Sequence, residues 1–202
     1  MSTRPFLAAV AIALRVGVAH ADPLPIPCVS LVVKDDPTPP VEPKKRFFKL
    51  RSGTKLLTTG KIVPPAPGGP GDPTLGGATI TVFDTGGTPQ SVTYTLPAAR
   101  WSLIGTTTSF KGYQFHDDTP VDGPVVRVFV KFDKLFVAGG KAGWGYLLDG
   151  APQGSVAARL ALGTDDGWCV EAPAKTPTSV YDTPARFVGA KGALPAVCSP
   201  AP

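Results

Sequence analysis

Histidine and glutamate are nearly absent from this chain of 202 residues, and cysteine occurs three times. The glutamates are Glu42 and Glu171 and the histidines are His20 and His116, so acid–base catalysis by paired carboxylates or an imidazole has few places to come from. No Cys-x-x-Cys pair occurs, which leaves a zinc ribbon or a thioredoxin-like redox site without support. Gly139-Gly140-Lys141-Ala142-Gly143 lacks the spacing of a phosphate-binding loop, and Gly154-Ser155-Val156 is not a nucleophile elbow. His116-Asp117-Asp118, followed by Asp122-Gly123, lacks the D-x-D-x-D-G order of a calcium loop, and neighbouring strand carboxylates point to opposite faces. No cofactor and no metal site are anticipated. Long apolar runs are missing too: Phe6 to Leu14 falls short of the roughly 20 residues a membrane helix needs.

What is present is alternation. Charged residues are only 17% and hydrophobic residues 43%, while 23 glycines and 24 prolines punctuate the chain into short elements. From Pro124 to Ala138 (PVVRVFVKFDKLFVA), Val126, Val128, Val130 and Phe132 alternate with Arg127 and Lys131, the period of a strand with one buried face. Asp133-Lys134 interrupts the run before Leu135-Phe136-Val137, which predicts a hairpin. Ala78–Phe83 and Ser91–Leu96 predict a second pair, Trp101–Ile104 and Phe110–Phe115 a third. Ser155–Leu162, Trp168–Val170 and Arg186–Val188 follow. About ten short strands with no helix-length periodic segment predict an all-β antiparallel sandwich or partly open barrel.

Residues 1–21 read as a signal peptide, with Arg4 before the apolar run and Ala19-His20-Ala21 before the expected cut. Its removal takes Arg4 and Arg15 and no acid, leaving 18 basic against 15 acidic residues, a net +3 too mild to imply nucleic acid. Residues 22–43 carry seven prolines and read as a tether, with Leu31-Val32-Val33 as a short edge strand; residues 44–202 form the domain and its C-terminal tail. Export permits a disulfide, and Cys169 with Cys198 is the expected pair because both lie in or beside the domain, Cys28 with either being the alternative. Closing that loop is worth roughly 3 kcal/mol. Pro25-Ile26-Pro27 lacks the small residue that lipid attachment at Cys28 requires.

Between Lys44 and Lys61 the chain is basic without an acid. Lys45, Arg46, Lys49 and Arg51 are either a solvated strand face that discourages aggregation or a patch for an anionic polymer such as envelope polysaccharide or nucleic acid. Among the aromatics, Trp168 suits packing over the disulfide, and Trp144, between glycines, is the tryptophan expected on the surface as a stacking platform. His116 with its neighbouring aspartates reads first as a polar loop.

KGYQFHDD at 111–118, DGPVVRVFVKFDKL at 122–135, GYLLD at 145–149 and GSVAARLALG with WCVE at 154–171 together resemble a group of exported β-rich proteins from high-GC bacteria. The resemblance spans about residues 44 to 200 and implies export and a β fold, with no activity attached. The expectation is an exported periplasmic or extracellular module that is not an enzyme and binds a glycan or protein, with an anionic polysaccharide or envelope protein as partner and no transmembrane anchor. The alternative is a secreted hydrolase using carboxylates or His116.

Overall fold

The computed structural model describes residues 22–35, 45–87, 89–119, 121–141, 143–148, 152–164 and 167–202. The signal-peptide segment, Lys44 and residues 36–43 lie outside these. Among the described residues, thirteen strands form two sheets. The first comprises β1 (Leu24–Pro25), β4 (Ala78–Asp84), β5 (Ser91–Leu96), β10 (Ser155–Leu162) and β11 (Gly167–Pro173), in the order β1-β11-β10-β4-β5. The second comprises β2 (Cys28–Lys34), β3 (Phe47–Gly53), β6 (Trp101–Gly105), β7 (Phe110–His116), β8 (Val125–Lys131), β9 (Lys134–Gly140), β12 (Asp182–Thr183) and β13 (Arg186–Val188). Its order is β12-β13-β2-β3-β9-β8-β7-β6. All pairings are antiparallel except β1 beside β11, so the architecture is an all-β sandwich, as the alternation requires. Two single-turn helices, Pro73–Gly76 and Thr178–Tyr181, sit in the connections.

The core follows the period of two. Leu31 and Val33, Phe48 and Leu50, Val128 and Val130, and Leu135 and Val137 point from the larger sheet to meet Ile80, Val82, Leu160 and Val170 from the smaller. In β7 the chain must leave room for its neighbour. At Gly112, φ is 131° and a Cβ would stand 2.0 Å from the Val130 carbonyl oxygen, so only glycine fits.

Three expectations need correction. Residues 22–35 are part of the sandwich and no tether: β2 lies between β13 and β3 with Leu31 and Val33 fully buried, and it is an internal strand where an edge strand was expected. Its prolines are tolerated because Pro25 sits on the edge strand β1, where a missing N–H costs no ladder bond. The hairpin turn is Phe132-Asp133, one residue earlier than the polar pair suggested. Lys131 faces Lys134, Asp133 supplies the positive φ of 60°, and Phe132 is 50% exposed. Trp168 lies in the core as expected, but it does not pack over the disulfide, because Cys169, its strand neighbour, points to the other side of the sheet.

The expected Cys169–Cys198 disulfide is present, with Cα atoms 5.8 Å apart. It lays the C-terminal tail across the outside of β10 and β11, where the Arg159 guanidinium donates to the Ser199 carbonyl and the Ser199 hydroxyl donates to Glu171. Cys28 is buried and unpaired, its thiol pushed up to about 11 by burial, so it stays protonated and inert at neutral pH.

Candidate ligand-binding face

Because β3, β9 and β8 are internal strands, the side chains they point away from the core form a continuous outer face. Register sets this face in rows. One row runs Arg51, Phe136, Phe129 and Gln114; the next runs Lys49, Ala138, Arg127 and His116; on the other side Lys134 stands opposite Lys131. Phe129 and Phe136 are therefore neighbours, with ring centroids 5.9 Å apart, and cations border them on three sides, with Gln114 on the fourth. The Arg127 guanidinium lies 5.9 Å and the Lys131 ammonium 5.6 Å from the Phe129 centroid. Contacts of this kind contribute about 0.5–1 kcal/mol at exposed sites and hold the cations over the rings.

Two irregularities turn the face into a groove. A β-bulge between Cys28 and Ser30 carries Val29 out of the core onto the rim, the use bulges commonly serve beside sites. At the far end the loop between Thr54 and Ile62 is tied to the β8–β9 turn. The Thr54 hydroxyl donates to Asp133 Oδ1 at 2.9 Å and accepts from the Ile62 N–H at 3.0 Å, and backbone bonds run from Thr54 and Asp133. Anchored so, the loop raises Leu56, 96% exposed, and Leu57 as an end wall. The resulting groove holds about 820 Å³, within the roughly 300–1,000 Å³ of small-molecule sites.

Its charge is one-sided. Lys49, Arg51, Lys55, Arg127, Lys134 and Lys191 line it, and among the described lining residues Asp133 is the sole acid. That carboxylate is already engaged by the Thr54 hydroxyl and, at 3.9 Å, by Lys61. Cations grouped around an apolar floor raise the local potential and favour an anion. The aggregation-guard reading of Lys49 and Arg51 loses its basis for an edge, since β3 is flanked by β2 and β9.

The other residues singled out from the sequence lie elsewhere. Arg46 is half-buried, donating to Asp35 Oδ1 at 3.0 Å and to the Trp144 carbonyl at 3.4 Å, and Lys45 is exposed beside it, outside the groove lining. Trp144 is the clearest correction. It is 0% exposed, stacked between Phe48 at 4.8 Å and Tyr94 at 4.9 Å, where it bridges β3 of one sheet to β5 of the other. The flanking glycines that suggested exposure sit in ordinary contact, Gly143 against Pro124 and Gly145 against Val92, and the Gly145 N–H donates to the Tyr94 hydroxyl at 2.8 Å. Burial raises the Tyr94 phenol, against the pull of hydrogen bonds from the Gly145 and Tyr146 backbone.

His116 lies at the end of β7, half-exposed, its Nε2 2.7 Å from Asp118 Oδ1 and 2.9 Å from Arg127 Nη2. It lines no part of the groove. Asp117 turns to the opposite side, buried, and accepts from the Asp122 N–H at 3.1 Å, so Asp118 and not Asp117 is the carboxylate that meets His116. Among the described residues no cluster of His, Cys, Asp or Glu is arranged to hold a metal, and no helix is long and apolar enough to cross a membrane.

Arg127, Phe129, Lys134 and Phe136 line the groove without having been singled out from the sequence. Their signal was a phenylalanine on the polar phase of each hairpin strand. No protein-family model matches the chain, and neither the curated proteins nor the solved structures contain a match.

Proposed function

We propose that the chain is an exported, non-enzymatic binding module of the cell envelope or extracellular space, taking an anionic ligand on the outer face of its eight-stranded sheet. The observation that carries this reading is the Phe129–Phe136 pair bordered by Lys49, Arg51, Arg127, Lys131 and Lys134 on internal strands. Five cations gathered around two aromatic rings repel one another, and an anion laid across them relieves that repulsion. An anionic polysaccharide, the partner class anticipated from the basic segment between Lys44 and Lys61, meets the charge requirement. The Cys169–Cys198 disulfide fits an oxidising compartment.

Retention on immobilised dextran sulfate tests this. The double variant Arg51→Glu/Arg127→Glu should elute at clearly lower salt than the unmodified chain. A control with the same change in net charge, Lys111→Glu/Lys175→Glu, should elute much closer to it. Equal elution of the two variants would show that net charge alone governs retention and would remove the assigned face.

A further inference from the structure

A bare cationic patch would serve for a polyanion; the groove has more than that. Its floor is the Phe129–Phe136 pair, one rim is Val29, and the end wall is Leu56 and Leu57. Leu56 is 96% exposed on a loop whose two ends are fixed by Thr54, so the loop's hydrogen bonding holds an apolar side chain out in solvent beside the groove. Exposed single leucines are commonplace. One that continues an apolar floor ringed by Lys49, Arg51, Lys55, Arg127, Lys134 and Lys191 marks a surface apolar along its length and positive at its border.

Resting on the anion-binding reading above, the geometry points to a ligand with matching halves. We propose that the groove holds one molecule of a single-chain anionic amphiphile, an alkyl carboxylate, as a monomer. The alkyl chain lies along Phe129 and Phe136 toward Leu56 and Leu57, and the carboxylate meets the cationic border. Charge complementarity selects the sign of the head, since a carboxylate finds six cations against one acid that is already engaged. The concavity selects a monomer over a bilayer surface: the apolar floor lies between Val29 on one rim and the raised loop at the end, where a flat lipid surface does not reach.

The test is isothermal titration of the intact chain with acetate, octanoate, decanoate and dodecanoate, all below their micelle concentrations. Each methylene laid on the floor should tighten binding by about twofold to fourfold, the upper figure being full burial. Acetate should bind too weakly to detect, and decyltrimethylammonium should not compete. Leu56→Ser removes an exposed side chain with no part in the core, so it keeps the fold. It should weaken dodecanoate several-fold while leaving dextran sulfate retention unchanged; Phe136→Ser should weaken dodecanoate further. Dodecanoate binding no tighter than octanoate, an unchanged Leu56→Ser variant, or binding to anionic phospholipid vesicles without monomer binding would each overturn the proposal. If chain length has no effect while dextran sulfate retention still depends on Arg51 and Arg127, the amphiphile falls and the anion-binding face stands. If neither is seen, both fall.

Discussion

Asp72 shows how a single side chain organises a loop that composition marked only as proline- and glycine-rich. Nearly buried, it accepts from the Gly68 N–H at 2.7 Å and from both the N–H and hydroxyl of Thr74, capping the turn Pro73–Gly76. Burial pushes its carboxyl up, but the hydrogen bonds from Gly68 and Thr74 outweigh that and hold it below the usual carboxylate value. A depressed folded-state value means the carboxylate stabilises the fold above its unfolded value of about 4 and loses that contribution as pH falls through the folded value. Asp72→Asn should therefore cost about 1–2 kcal/mol at pH 7, and the gap to the unmodified chain should close below about pH 4. Urea unfolding at the two pH values measures both; a gap that is the same at each would contradict the ionised cap.

At the scale of strands, most of the fold could be read from the sequence. Ala78–Phe83 and Ser91–Leu96 became strands because their period of two was clean and their ends were turn residues, and Ser155–Leu162, whose alanines also suit a helical turn, is held as a strand by pairing with β4 and β11. Proline content hid β1 and β2. Counting prolines weighs lost donors, but it misses that Leu31 and Val33 bury enough apolar surface to hold the segment in the sheet. The turn at Phe132-Asp133 was displaced because an apolar residue stood in it. The binding face was half legible. Reading β8 for its core valines left Arg127, Phe129 and Lys131, on the opposite phase, unexamined, and no local rule places β3 beside β9 so that Arg51 meets Phe136. Long-range register is what joins the two halves of the site. Trp144 failed for the same reason, since its partners Phe48 and Tyr94 are remote in sequence. Strand spacing also sets a sharp expectation at Gly112. Because a Cβ there would stand 2.0 Å from the Val130 carbonyl oxygen, Gly112→Ala should cost more than about 3 kcal/mol, by forcing β7 and β8 apart. Thermal unfolding decides it, and an unchanged midpoint would mean that the β7–β8 contact is looser than described.

As a whole the molecule is a sandwich with two unlike exteriors. Outside the five-stranded sheet, the C-terminal tail is fastened by Cys198, Arg159 and Glu171. Outside the eight-stranded sheet, the aromatic pair and its cations line an open groove. One side is covered by residues of the C-terminal segment and the other is open, which is the contrast the proposed binding reading builds on. The disulfide fits an extracellular location. Mass analysis of the chain released by its host should find Asp22 first and a linked Cys169–Cys198 peptide, whereas a retained Met1 with three free thiols would return the protein to a reducing compartment.

The most direct measurement is nuclear magnetic resonance mapping of the isotope-labelled chain titrated with dodecanoate below its micelle concentration. The account predicts saturable shifts confined to Lys49, Arg51, Leu56, Phe129, Lys134, Phe136 and their strand neighbours, with the β4 and β10 amides unmoved. Shifts centred on His116 and Asp118, on the C-terminal tail, or spread evenly over the surface would contradict it.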